Sequence, residues 1–176
     1  KSAFHPFIRH LYVDRQGSAW FSSLRGVYRV SPSAKTYEHL YIGQNMEVRA
    51  FLRDSQNNFW VASKSGKIRI FDEKNNLKGY LSNDGKIAQD KNIFFHSTYC
   101  FMEDKDGNIW IGTRYDGIYL LKKNKESGFS YSISNYAHNS KDHYSLSSNS
   151  IYDIYQDNKD RIWVACYQGG INLISR

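Results

Sequence analysis

The chain has 176 residues, the length of one ordinary domain, and combines 40% hydrophobic and 16% aromatic residues with only 12 glycines and 2 prolines. This composition excludes collagen-like, low-complexity and disordered classes and predicts a chain that folds around an apolar core. The formal net charge of +7 is compatible with an acidic partner, but lysines and arginines are scattered singly, which favours a solvated basic surface and no nucleic acid.

No stretch approaches the roughly 18 consecutive apolar residues that a membrane helix needs. Residues 1–7 also lack the apolar region of a signal peptide. The sequence therefore predicts either a cytosolic protein or one whose targeting segment has been removed.

Four repeats organise the chain, because each of its four tryptophans stands six residues after an aspartate. The pairs are Asp14 and Trp20, Asp54 and Trp60, Asp104 and Trp110, and Asp157 and Trp163. Successive tryptophans are 40, 50 and 53 residues apart. This period is typical of β-propeller blades, in which about 40 to 50 residues supply four antiparallel strands.

Each repeat divides into strands and turns in the same order. Aromatic and β-branched residues before the aspartate predict a first strand, and the following Gly, Asn and Asp residues predict a tight turn with positive φ. The second strand, residues 109–113 in the third repeat, is almost continuously apolar, so both of its faces should be covered. A glycine turn, an alternating third strand and a more polar fourth strand, as in residues 36–42 and 129–136, complete the blade.

Residues that recur at the same position of every repeat are expected to belong to the scaffold and not to a binding site. The tryptophans are expected in the blade cores, and the aspartates are expected to bond the backbone amides of their turns. A small residue two positions after each tryptophan should lie where adjacent sheets crowd; these residues are Ser22, Ala62, Gly112 and Ala165. Cys100 and Cys166 form no C-x-x-C motif and favour two unpaired thiols, with a disulfide left open.

The predicted fold class is all-β, a single β-propeller segment over residues 1–176 with four repeats of four-stranded antiparallel sheet. The blades are placed at about residues 8–42, 48–95, 98–137 and 151–176. The last blade lacks its outer strand, and Pro6 allows residues 1–7 only an edge position. We therefore expect a partial propeller that the remaining blades of a longer propeller, or a second copy, would complete.

The motif DKDGNIWIGT at residues 104–113, followed by Gly117 and Ile118, resembles the two-component regulator propeller repeat. The segment YSLSSNSI at residues 144–151 is similar to the serine-leucine linker between such blades. The first, second and fourth repeats depart from the pattern, with Ser22, Ala62 and Ala165 in place of the glycine after tryptophan.

The resemblance implies a piece of the periplasmic sensor of a hybrid histidine kinase, an inner-membrane protein that detects oligosaccharides and controls genes for polysaccharide use. It implies signal transduction without catalysis in this segment and no cofactor. Contact with a membrane would come only through parts of the parent protein outside this chain.

Ligands usually approach a propeller at the turns between second and third strands and at the connections that lead into first strands. A sugar site needs aromatic faces and planar hydrogen-bonding groups. The candidates are Arg114, Tyr115, Asp116, Tyr167, Gln168, Asn149 and His96. The competing interpretation is that these are ordinary exposed turn residues.

Two other functions remain as alternatives, since fold alone does not decide function. Streptogramin lyases have similar propeller repeats and use a histidine with a bound metal. Only His96 suits that role, no acid or base is evidently paired with it, and the six histidines show no metal-ligand spacing. A propeller that binds another protein shares the same scaffold.

Overall fold

The computed structural model describes residues 8–14, 17–24, 26–40, 47–89, 91–124 and 130–174. The described residues form sixteen β-strands in four antiparallel sheets. The first sheet contains β1 (Ile8–Val13), β2 (Ala19–Ser23), β3 (Gly26–Val30) and β4 (Glu38–Leu40). The second contains β5 (Val48–Arg53), β6 (Phe59–Ser63), β7 (Ile68–Phe71), β8 (Leu77–Leu81) and β9 (Ile87–Ala88).

The third sheet contains β10 (Thr98–Glu103), β11 (Ile109–Thr113), β12 (Ile118–Lys123) and β13 (Tyr131–Tyr136). The fourth contains β14 (Ile151–Gln156), β15 (Ile162–Cys166) and β16 (Gly170–Ile174). Consecutive sheets pack through their first strands, β1 on β5, β5 on β10 and β10 on β14. The all-β propeller predicted from the repeats is confirmed, with the first strands side by side on the inside of the arc.

Two sheets differ from a uniform set of four strands. The second sheet gains β9, because the chain turns back after β8 through residues 82–86 and pairs Ile87 with Leu81. The fourth sheet has three strands within the described residues, as predicted from its missing outer strand. Parts of the predicted blades lie outside the described residues, including residues 41, 42, 129, 175 and 176. Residues 1–7, for which the sequence predicted an edge position, also lie outside them.

One hydrogen bond explains the spacing of six between aspartate and tryptophan. In every blade the indole N–H of the tryptophan donates to Oδ2 of the aspartate, at 2.7 Å in the first blade and 2.9 Å in the others. The other carboxylate oxygen accepts the backbone N–H four residues after the aspartate, as from Asn58 to Asp54 at 2.7 Å. The aspartate therefore ties its own turn to the second strand.

The turn itself needs a left-handed residue three positions after each aspartate. Gly17, Asn57, Gly107 and Asp160 stand there, with φ between 63° and 79°. Glycine, asparagine and aspartate are the residues that adopt this conformation at low cost. The predicted turn chemistry is therefore confirmed.

Three apolar clusters fill the spaces within and between blades. Trp20, Trp60 and Trp110 are buried, as predicted for blade-core residues. Trp163 is only half-buried, with the Arg161 guanidinium 5.0 Å from its ring centroid. The prediction of a fully covered core is wrong for the fourth blade, where Ile171 and Leu173 are exposed on the same sheet.

The small residue two positions after tryptophan is buried in the first three blades, as predicted, whereas Ala165 in the fourth is only half-buried. A Cβ placed on Gly112 would lie 2.4 Å from the Cys100 Sγ and 2.8 Å from Cγ2 of Ile151 in the next blade. Ala62 is tolerated in the second blade because its partner on the first strand is Ala50, which is smaller than Cys100. Glycine is therefore required at position 112 of the third repeat because Cys100 and Ile151 leave no room for a Cβ.

In the third and fourth blades, the residue before the repeat aspartate makes a hydrogen bond to the preceding blade. Glu103 accepts bonds from the backbone N–H and hydroxyl of Ser55 in the second blade, at 2.8 and 2.6 Å. Gln156 accepts from the backbone N–H of Lys105 in the third blade at 2.8 Å. Each interaction caps the first turn of the preceding blade and fixes the position of the following one.

Cys100 and Cys166 are both buried and unpaired, which confirms the prediction of two free thiols. Burial raises the pKa of the Cys100 thiol far above its ordinary value, so the thiolate is suppressed. In the described part of the chain no helix is long and apolar enough to cross a membrane.

Replacing Asp54 with alanine tests the aspartate–tryptophan bond. We expect Asp54→Ala to lower the free energy of unfolding by about 3–5 kcal/mol, because several bonds to a buried carboxylate are lost and the Trp60 N–H stays buried without an acceptor. Urea denaturation followed by tryptophan fluorescence measures this loss.

Asp72→Ala is the matched control. Asp72 accepts the backbone N–H groups of Lys74 and Asn76 in the same turn geometry, but it is only half-buried and bonds no tryptophan of the described chain. A loss as large for Asp72→Ala as for Asp54→Ala would show that the turn alone, without the indole bond, stabilises the blade.

Candidate functional site

One end of the blades, here called the turn face, collects the second-to-third strand turns and the segments that lead into the first strands. Backbone bonds hold these together in three blades, from Lys64 to Glu47, from Arg114 to Ser97 and from Tyr167 to Ser150, at 2.8 to 3.1 Å. Gly117 in the third blade donates to the Asn149 carbonyl at 3.0 Å. The candidate residues of the third and fourth blades are thereby fastened to one connecting segment.

His96 and Asp116 are brought together on this face. The His96 Nδ1 lies 2.9 Å from Asp116 Oδ2, and the Tyr119 hydroxyl lies 3.3 Å from His96 Nε2. The Thr113 hydroxyl accepts the Asp116 backbone N–H at 3.0 Å and holds the turn in place. The expectation that no acid or base pairs with His96 is wrong, because Asp116 lies 20 residues away in sequence and meets it only in the folded sheet.

Partial burial, assisted by the Asp116 charge, raises the pKa of Tyr119 above its ordinary value of 10.0. Tyr119 therefore stays protonated at neutral pH and can donate a hydrogen bond to the His96 ring. Phe94 packs on the same imidazole, with ring centroids 4.6 Å apart. The histidine is thus held between an aromatic wall, a carboxylate and a phenol.

Arg114 and Tyr115 form a second group on the turn face. The guanidinium of Arg114 lies 4.9 Å from the Tyr115 ring centroid, and Tyr115 is 62% exposed. This arrangement leaves an aromatic face and planar donors open to solvent, which is chemistry suited to hydroxylated ligands.

The remaining candidates, Tyr167, Gln168 and Asn149, have different surroundings. Tyr167 is exposed and meets Tyr152 edge to face at 5.5 Å. Gln168 adopts the left-handed conformation with φ of 55°, so the turn fixes its backbone. The Asn149 side chain accepts the His138 backbone N–H at 2.6 Å, which gives it a structural role in the connecting segment.

Sequence reasoning missed one position per blade on the inner edge of this face. Each first strand contains a β-bulge, and the residues it displaces are Arg9, Arg49, Tyr99 and Tyr152. Bulges re-aim side chains and occur next to binding sites. Each of these residues stands five positions before its repeat aspartate, so a longer alignment of the repeats would have identified the position.

His10, on the first strand of the first blade, lies within reach of the charge of Asp153, on the first strand of the fourth. Burial lowers the pKa of His10 below its ordinary value of 6.5, and the Asp153 carboxylate opposes this shift. His10 packs edge to face on Phe51 at 5.4 Å, and its buried Nδ1 has no hydrogen-bond partner among the described residues. Among the described residues no group of three or more histidine, cysteine or acidic side chains is arranged to hold a metal ion.

The fold and this face define a class of protein, the β-propellers built from tandem blade repeats. Residues 92–115 and 145–168 match the family model described as two component regulator propeller. These two segments therefore carry the two-component regulator propeller repeat, and the resemblance seen in the sequence is confirmed.

Solved structures share the fold. The extracellular domain of BT4673 from B. thetaiotaomicron, a proposed one-component or hybrid two-component system, is 20% identical with a TM-score of 0.68, over 96% of this chain and 21% of that one. The extracellular domain of BT3049 from the same organism, a proposed hybrid two-component system, is 22% identical with a TM-score of 0.58, over 94% and 20%.

Streptogramin B lyase is 13% identical with a TM-score of 0.59, over 96% of this chain and 54% of that one. At these identities the likeness concerns the fold alone. The chain spans about a fifth of the length of the extracellular domains it matches. A comparison with curated protein sequences found no match.

The depressed pKa of His10 predicts acid sensitivity. Well above pH 6.5 His10 is neutral in both the folded and the unfolded state and contributes no pH dependence. As the pH falls through 6.5 the unfolded chain binds the proton more readily, so stability falls until the pH reaches the lower folded pKa. His10→Phe should reduce the loss of stability between pH 7.5 and 5.5, as measured by urea denaturation.

The exposed His143, replaced in the same way, serves as the control. Equal pH profiles for His10→Phe and the parent chain would contradict the assignment of the acid sensitivity to His10.

Proposed function

We propose that this chain is a ligand-recognition segment of the extracytoplasmic sensor of a two-component regulator. The match of residues 92–115 and 145–168 to the two-component regulator propeller model carries the proposal. The fold likeness to two extracellular domains of proposed hybrid two-component systems supports it. The parent protein in this proposal is a sensor histidine kinase of the periplasm and inner membrane, and the segment itself is not catalytic.

The proposed ligand is an oligosaccharide bound at the turn face. Tyr115 and Tyr167 present exposed rings, and Arg114 presents planar donors beside them. Asp116 and His96 are held rigidly by their mutual contact, so they offer fixed polar groups to sugar hydroxyls. Rigid placement lowers the entropy lost on binding.

An enzyme of the streptogramin-lyase type is the second candidate, and the His96 contact with Asp116 favours it. A histidine oriented by a carboxylate can accept a proton from a substrate. Chromatographic conversion of a bound oligosaccharide by the parent chain, lost in His96→Gln, would favour the enzyme; recovery of the ligand unchanged supports the sensor.

Further blades of the same repeat type are the proposed partners of the terminal sheets. Leu11 and Val13 are exposed on the first sheet, and Ile171 and Leu173 are exposed on the fourth. In the middle sheets the matching faces are covered by neighbouring blades. The extracellular domains with this fold are about five times longer than this chain, which leaves ample length for additional blades.

Arg114→Ala should weaken oligosaccharide binding at least about tenfold, because a hydrogen bond from a charged donor contributes about 1.5–3 kcal/mol. Isothermal titration calorimetry with a panel of neutral and acidic oligosaccharides measures the change. The control is Arg161→Ala, since Arg161 also lies on an aromatic ring but belongs to a first-to-second strand turn. Unchanged affinity in Arg114→Ala would remove this residue from the site.

The isolated chain should self-associate through its exposed sheet faces, because large apolar patches left open to water promote association. Replacing Ile171 and Leu173 with glutamate should shift the sedimentation coefficient to that of a monomer. Tyr144→Glu is the control, since Tyr144 is fully exposed outside these sheets. A parent chain that stays monomeric at high concentration would contradict the prediction.

A further inference from the structure

The bulged positions of three blades form one continuous row. The Arg49 guanidinium lies 5.5 Å from the Tyr99 ring centroid, and the Tyr99 ring stacks on Tyr152 with centroids 5.9 Å apart and planes within 7°. Tyr152 meets Tyr167 edge to face at 5.5 Å. We call these four residues the inner-strand row. The row begins on the first strand of the second blade and ends in the turn of the fourth.

The polar groups of the inner-strand row are available for hydrogen bonding as far as the described residues are concerned. In the part of the chain that the structure describes, the hydroxyls of Tyr99, Tyr152 and Tyr167 and the guanidinium of Arg49 make no hydrogen bond or ion pair. Arg9, at the same position of the first blade, is different because it pairs with Glu47 at 3.2 Å. Within the described residues, the row therefore offers one guanidinium without an acidic partner and three hydroxyls without hydrogen bonds.

The charges around the inner-strand row differ between its two ends. Glu47, the acidic residue closest in sequence to Arg49, is already engaged by Arg9 and Lys64 at 3.2 and 3.4 Å. At the opposite end Asp153 follows Tyr152 on the fourth blade, and its charge acts on His10 and Cys100. A bound anion is therefore favoured at the Arg49 end and disfavoured beside Asp153.

The ring spacing limits how a ligand can bind. Centroid distances of 5.5 and 5.9 Å are contact distances between aromatic rings, so no flat group fits between them. A ligand must lie along the row, across the exposed ring surfaces and the hydroxyls. Tyr152 and Tyr167 are 53% and 48% exposed, which leaves that surface available.

We propose that the inner-strand row binds the acidic sugar of an oligosaccharide, with the carboxylate at Arg49 and the apolar sugar faces on the tyrosines. A guanidinium pairs with a carboxylate through two parallel bonds, and hydroxyl groups along the row complement those of a sugar. This site rests on the proposed function and deepens it, since it defines the ligand class as acidic saccharides and adds three residues to the turn face.

Calorimetry with matched ligands tests the site. The probes are trisaccharides of galacturonate, glucuronate and mannuronate, each compared with its carboxyl-reduced neutral form. We expect at least one acidic probe to bind at least about tenfold more tightly than its neutral form, with the difference shrinking at high salt. Arg49→Gln should abolish this preference, and Tyr152→Ala should weaken binding of the preferred probe at least fivefold while Tyr152→Phe retains the stacking.

Arg69 and Tyr80 provide the control, because they form a similar pair at 5.4 Å on the outer strands β7 and β8. Arg69→Gln should leave the preference intact, and circular dichroism establishes that each variant is folded. Binding without preference for the acidic form, or a preference that survives Arg49→Gln, overturns the proposal that the inner-strand row binds an acidic sugar. The proposed function of the chain as a ligand-recognition segment is unaffected by that result. Failure of every neutral and acidic probe to bind the parent chain overturns both.

Discussion

The bond between a turn aspartate and the indole of a tryptophan six residues later organises every blade. The carboxylate accepts the turn amides with one oxygen and the indole N–H with the other, so one side chain fixes the hairpin and the depth of the tryptophan. A buried carboxylate without such partners would be costly. The rest of the blade, including the first strand with its bulge, takes its position from this anchored hairpin.

Because the aspartate–tryptophan bond fixes each blade, residues at other positions of the repeat can vary. Because the same bond recurs in all four blades, the turns between second and third strands differ without loss of fold, and the turn face carries Arg114 and Tyr115 in one blade and Tyr167 and Gln168 in the next. The bulge varies in the same way, with arginine in two blades and tyrosine in two. Repetition preserves the framework, and variation at fixed positions gives the proposed recognition surface its chemistry.

Contacts between neighbouring blades lie at both ends of the sheets. Glu103 and Gln156 each cap a turn of the preceding blade, so neighbouring sheets are tied at the end opposite the turn face. The Tyr99 and Tyr152 rings join two blades at the turn face itself. In the proposed sensor, a ligand across these rings would bridge the third and fourth blades at the end opposite the capped turns.

The sequence by itself determined the blade count and the strand order, because tryptophan, aspartate and glycine stand at fixed intervals and each has a local physical role. It also identified the turn face, since the connections follow from strand order. The tertiary structure alone decided which side chains meet. His96 contacts Asp116, and Tyr99 stacks on Tyr152, across 20 and 53 residues of sequence, and such contacts depend on the bulge, the register and the packing of one blade on the next.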